Sequence, residues 1–306
     1  MSAKGGTRAI LAAFAANLGI AIAKFLGFLF TGSASMLSES IHSAADTGNQ
    51  GLLMLGHRRA RRAPDEDHAF GYARERYFWS FVVALVLFSL GALFSIVEGI
   101  DKVRHPHHID SVGWAFLILG VAIVLESYSF RTAIHEARPH KTGMSWRTYI
   151  RRAREPELPV VLLEDLGALI GLSLAFGALI IAEVTDDSVW DGIGTLCIGV
   201  LLAVIAIVLA IEMKGLLIGE SATRANLRLI EDAIAGSMDV LQLIHLRTQH
   251  LGPEELLVGA KIQFRDDLDM PGLARAIDDT EARIRAVVPI ARPMYIEPDI
   301  LRTPEG

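Results

Sequence analysis

The sequence predicts an α-helical polytopic membrane protein with a separate α+β tail, from three observations: its apolarity, six apolar runs, and a change of pattern after Gly219. The 306-residue chain is 52% hydrophobic with mean hydropathy +0.39, too apolar for an ordinary soluble enzyme. The runs Arg8–Phe30, Met36–Gly56, Tyr77–Ile100, Val112–Ala137, Leu158–Ala182 and Trp190–Met213 each approach the ~20 residues that a helix needs to cross ~30 Å of hydrocarbon. This divides the chain into a six-helix transmembrane domain, 1–217, and a C-terminal domain, 218–306.

Element by element, the start Met1–Thr7 is short and polar, and the first run lacks a small-residue cleavage pattern, which reads as a retained helix with no cleaved signal peptide. Between the second and third runs stand Arg58, Arg59, Arg61, Arg62, Arg74 and Arg76; between the fourth and fifth stand Arg138, Lys141, Arg147, Arg151, Arg152 and Arg154. The links on the other side, Thr31–Ser35, Asp101–Ser111 and Glu183–Val189, carry only Lys102 and Arg104. Positive loops stay cytoplasmic, so both chain ends are expected in the cytoplasm. Arg58–Arg62 are placed to meet anionic lipid. The tail reads as a helix near Arg224–Gly236, strands around Val240–Gln249 and Leu256–Phe264, a helix from Pro271 to Val288 and a strand near Pro293–Glu297. That αββαβ order makes a small two-layer domain whose open sheet edges invite a second copy of the chain, hence a homodimer.

Net charge is −6 at pH 7, with the acid concentrated in the last third, which argues against a nucleic-acid partner. The single cysteine, Cys197, excludes an intrachain disulfide and a thiolate-rich metal cage, so any metal ligands are His and carboxylate. No His-Glu-x-x-His and no Ser/His nucleophile arrangement occurs, which removes the usual membrane metalloenzymes.

Ionisable side chains within an apolar span need a reason. In the second run, Glu39, His42 and Asp46 fall at roughly 0°, 300° and 340° on a helix, so an imidazole and two carboxyls line one stripe. Such a stripe can grip a divalent cation or carry protons. The fifth run supplies Glu164 and Asp165, and the fourth supplies Glu126 midway along its length. The alternative for His42 and Asp46 is a buried hydrogen-bonded pair that joins helices. Asn17 and Lys24 share a face of the first run and read as interhelical hydrogen bonding and snorkelling.

The stretch Ser38-Glu39-Ser40-Ile41-His42-Ser43-Ala44-Ala45-Asp46 with Asn49-Gln50, and the loop His68-Ala69-Phe70-Gly71-Tyr72-Ala73-Arg74-Glu75, resemble the cation diffusion facilitator family. The loop is similar to that family's His-Pro-x-Gly-Tyr-x-Arg-x-Glu. Val160-Val161-Leu162-Leu163-Glu164-Asp165 and Trp190-Asp191-Gly192-Ile193-Gly194 look like the branch that includes mitochondrial zinc transporters. The resemblance covers nearly the whole chain. It implies export of divalent metal ions, usually by proton antiport, from a Y-shaped homodimer of six-helix subunits with cytoplasmic metallochaperone-like domains.

The family pairs a His/Asp-x-x-x-Asp on the second helix with a His-x-x-x-Asp on the fifth, and His42 and Asp46 match the former. The fifth helix departs. With Asp165 in the aspartate's place the histidine's place holds Val161; with Glu164 in the histidine's place the aspartate's place holds Ala168. Gly171, a small residue six positions after Asp165, favours the first register.

The metal set expected is therefore His42, Asp46 and Asp165, with Glu164 or water as fourth ligand. Glu39, Glu126 and Asn49 stand as gate, as support behind the ligands, or as proton relay. Zinc suits a tetrahedral N/O set, though manganese, iron, cobalt or cadmium remain open. Metal entry displaces protons from these groups, and His42, with a reference pKa of about 6.5, is the natural carrier. No prosthetic group is expected.

Asp65, Glu66, Asp67 and His68 form either a cation-capturing mouth or a solvated acidic turn. The resemblance also implies regulatory metals in the tail, with His245, His250 and Glu297 nearby. The corresponding histidine positions hold Ile244, Ala274 and Tyr295, so a metal-independent dimer domain is expected. Asp266, Asp267 and Asp269 read as helix caps. A transport-inactive metal sensor or scaffold is the alternative to an exporter, because Val161 takes a histidine's place. The Ala- and Arg-rich chain without a transit peptide points to a bacterial inner membrane.

Overall fold

Helices begin and end in this chain where capping groups or polar linkers replace the apolar pattern, and in the computed structural model most run a turn past the apolar segment itself. The structure describes residues 34–106, 112–141 and 143–302, with scattered positions between 11 and 29. Within these, the side chains of 34–42, 45, 46, 87, 88 and 90 lie outside the description, and so does much of the first expected span. In chain order the elements are α1 (Ala34–Arg59), α2 (Glu75–Arg104), α3 (Val112–Lys141), α4 (Trp146–Arg152), α5 (Glu157–Thr185), α6 (Val189–Ile218), α7 (Arg224–Ala235), β1 (Val240–Gly252), β2 (Glu255–Phe264), α8 (Met270–Val287) and β3 (Ala291–Pro298).

Among the described residues four helices, α2, α3, α5 and α6, are long and apolar enough to cross a membrane. The second expected span lies within α1, a 26-residue helix diluted by His, Asp, Asn and Gln. Helix α5 stops at Asp186, which adopts φ 52 and returns its backbone N–H to Ala182 O; a short polar side chain tolerates that left-handed conformation. The short helix α4 was not foreseen. Ser145 caps it by accepting from Thr148 N, and Tyr149 is its buried residue.

The residues divide into two units, Met1–Arg61 with Glu75–Lys214, and Arg62–Arg74 with Gly215–Gly306. In the first, glycines let helices approach closely. A methyl placed on Gly99 would lie 2.8 Å from Leu196 Cγ, and one on Gly199 would lie 2.7 Å from Ile96 Cγ1, so α2 and α6 meet along a small-residue seam. Lys102 Nζ closes one end of this seam on Asp191 Oδ2 at 2.9 Å. Helices α3 and α5 pack side by side, with Phe116 and Phe176 edge to face at 5.1 Å between centroids.

Arg76 corrects an expectation. Read from sequence as one more loop cation, it lies in the first turn of α2, is 8% exposed, and forks onto Glu157 at the start of α5 through Nε–Oε1 at 2.5 Å and Nη2–Oε2 at 2.8 Å. Glu157 is itself only 2% exposed. A planar guanidinium matches a carboxylate bidentately, which is why Arg can be kept at such a site.

The tail has the αββαβ order. Its sheet runs β1-β2-β3, with β1 and β2 antiparallel and β2 and β3 parallel, the latter connection crossing through α8. Every second residue of β2, from Leu256 through Val258, Ala260 and Ile262 to Phe264, is buried with Ile230, Ile234 and Ile284 of the two helices. Fully burying each Ile contributes roughly 1.5–3 kcal/mol. Asp269 caps α8 by accepting from Gly272 N at 2.8 Å, as expected of it. The loop 62–74 belongs to this unit: Ala73 packs so closely on Gly252 that no side chain fits there.

Candidate metal centre

The geometry is built on α1, α3 and α5. On α5, Val161 and Asp165, four apart and so on one face, are 0% and 1% exposed, while Glu164 and Ala168 are half-buried. The two acids diverge. Asp165 Oδ2 accepts from Ser129 Oγ of α3 at 2.8 Å, and Glu164 Oε2 accepts from Gln50 Nε2 of α1 at 2.6 Å. The ~100° between successive helical residues accounts for this: neighbouring carboxyls meet different helices.

Gln50 is 0% exposed and fixes which side of α1 addresses α5. The backbone of α1 is helical throughout, so Asp46 and His42 stand on the Gln50 stripe one and two turns earlier, with Glu39 also on it. The side chains of His42, Asp46 and Glu39 lie outside the described residues. Among the described residues no group of three or more His, Cys, Asp or Glu comes together. Asn49, next to Gln50, is 5% exposed, and its Nδ2 has no hydrogen-bond partner among the described residues.

Helix α3 contributes a buried face of Ala122, Glu126, Ser129, Ala133 and Ala137. Glu126 and Ser129 are one turn apart on it, which places a second buried acid one turn from the hydroxyl that bonds Asp165 of α5. Sequence reasoning singled out Glu126 and missed Ser129; a serine within an apolar run is common, and its partner stands 36 residues away. Asn17 of the first span is buried, and Lys24 lies outside the described residues.

In the loop unit, Asp65 Oδ1 accepts from His68 N at 2.8 Å and Oδ2 accepts from Tyr72 OH at 2.5 Å, while His68 and Tyr72 rings stack at 4.4 Å between centroids. Gly71, at φ 75, turns the chain so that Tyr72 can fold back. The Tyr72 hydroxyl holds the Asp65 carboxyl below the usual carboxylate range, and Asp65 in turn raises the Tyr72 hydroxyl. Glu66 and Asp67 are exposed. In the tail, His245 pairs across the sheet with Lys261, which pairs with Glu297, so a lysine stands between the two; Lys261 Nζ is 2.9 Å from Glu297 Oε1. His250 is buried at the far end of β1, its Nδ1 3.3 Å from Gly252 O.

Residues 10–218 match the family model described as the cation efflux transmembrane domain. The chain belongs to the cation efflux family, the cation diffusion facilitators that its second-helix and loop motifs resemble. It is 31% identical over 271 residues to the human protein named proton-coupled zinc antiporter SLC30A9, mitochondrial, covering 88% of this chain and 47% of that one. It is 29% identical over 263 residues to metal tolerance protein C4 of Arabidopsis thaliana, covering 85% of this chain and 58% of that one. With zinc transporter ZitB of Yersinia pestis the identity is 24% over 283 residues, covering 91% and 84%. The chain spans about half the length of the SLC30A9 relatives it matches.

Proposed function

We propose that this protein is a secondary transporter, not an enzyme, that exports a divalent metal cation from the cytoplasm by exchange for protons, with zinc as the ion. The observation that carries the reading is the approach of α1 to α5 through Gln50 and Glu164, because the same α1 stripe bears Asp46 and His42. Relatives named as zinc transporters support zinc. In this reading His42, Asp46 and Asp165 hold the ion, with Glu164 or water in the fourth position, and Glu39, Glu126 and Asn49 serve as gate, support or proton relay. The carboxylates bind deprotonated and the imidazole neutral, so cation and protons compete for the same lone pairs, and reprotonation expels the ion. Moving one net charge against 100 mV costs roughly 2.3 kcal/mol, which proton exchange offsets.

Six spans within 1–217, both termini at the cytoplasmic face, and a dimerising tail within 218–306 complete the proposal, set in a bacterial inner membrane. Alternating access exposes the site to one side at a time. The test is flux into proteoliposomes. A pH gradient should drive zinc uptake that His42→Ala or Asp46→Ala abolishes; unchanged flux in both variants overturns the site assignment, and zinc binding without flux in the wild type makes the protein a sensor.

A further inference from the structure

Ser129 brings a hydroxyl to Asp165, an acid of the proposed transport site. It is 1% exposed, its Oγ donates to Asp165 Oδ2 at 2.8 Å, and Asp165 is 1% exposed. With both groups buried, the donated hydrogen bond orients the carboxyl plane and takes one lone pair of Oδ2. A carboxylate held this way offers a cation Oδ1 more readily than Oδ2, one of whose lone pairs is taken. Released, the same group can bite with both oxygens.

That difference separates cations by size and geometry. Zinc takes four ligands in a tetrahedron, with carboxylate oxygens at roughly 2.0–2.2 Å, whereas larger, more flexible ions accept bidentate carboxylates and more ligands. From this geometry we infer that Ser129 is a selectivity-determining positioning residue: by orienting Asp165 and engaging Oδ2 it biases the carboxylate toward one-oxygen coordination and so favours a small tetrahedral cation over a larger one such as cadmium. It touches the ligand, not the ion. The buried face of α3 around it is otherwise mostly alanine, with Glu126 one turn away, and the Ser129 hydroxyl is its group that hydrogen-bonds this carboxyl.

The inference rests on Asp165 being a transport ligand, and its test separates the two. Zinc and cadmium flux are measured in proteoliposomes holding the full-length wild type, Ser129→Ala, Ser129→Thr and Asp165→Asn. Ser129→Ala should raise the zinc KM roughly three- to tenfold, the range one such hydrogen bond supplies, while leaving kcat near wild type and lowering the zinc-to-cadmium preference. Ser129→Thr keeps the hydroxyl and should keep the preference. An unchanged KM and preference in Ser129→Ala, or loss of the preference in both Ser129 variants, overturns the inference. Unchanged flux in Asp165→Asn overturns instead the reading of Asp165 as ligand.

Discussion

Gln50 of α1 donates to Glu164 of α5 at 2.6 Å, joining residues 114 positions apart. This bond selects the face of α1 turned to α5, and hence the stripe on which His42 and Asp46 stand. It ties Glu164 to α1, whereas Asp165 is tied to α3 through Ser129. Replacing Gln50 by Ala removes the donor from a carboxylate inside the protein, and thermal unfolding in detergent should show a loss of about 1–3 kcal/mol.

The different partners of the two acids give a ranking for transport. Asp165→Asn should reduce zinc flux by at least tenfold, and Glu164→Gln should reduce it less, since an amide still bonds Gln50. The reverse order in a proteoliposome assay would make Glu164 the principal α5 ligand in place of Asp165 and move the register of α5.

Arg76 and Glu157 carry a different load. With both nearly enclosed, Arg76→Ala leaves a carboxylate buried without its fork, and a loss of about 3–5 kcal/mol in unfolding free energy is expected. Arg76→Lys should recover only part, because an ammonium cannot make the parallel pair of bonds. Replacing both partners with apolar residues of similar size should be milder than either single change.

The turn made by Asp65 and Tyr72 should respond to acid. The Asp65 carboxyl lies below its ordinary value, so its contribution is present above that ordinary value and lost as pH falls through the lowered one. Tyr72→Phe removes the main cause, and the carboxyl carbon of Asp65, followed by NMR titration, should then change at a higher pH than in the wild type.

Much of the architecture was legible because it follows local patterns. The tail's strand β2 alternates with period two, and α8 opens with an Asp cap and Pro271, so both were placed within a residue or so of their ends. Helix ends in the membrane unit were read short, since interfacial residues such as Glu75 and Arg104 continue a helix that hydropathy no longer marks. Arg76 and Ser129 were missed for one reason: each is defined by a partner on another helix, and no spacing along the chain reports that contact. Helix α4, seven residues long, offered only Ser145 as a signal.

The central claim is that α1 and α5 jointly ligate the exported ion, and the most direct test is anomalous diffraction at the zinc absorption edge from crystals grown with zinc. The account predicts a peak within coordination distance, roughly 2.0–2.2 Å, of His42 nitrogen and of Asp46 and Asp165 oxygens. A bound zinc elsewhere in the membrane unit, with the α5 acids directed away from His42, would contradict it.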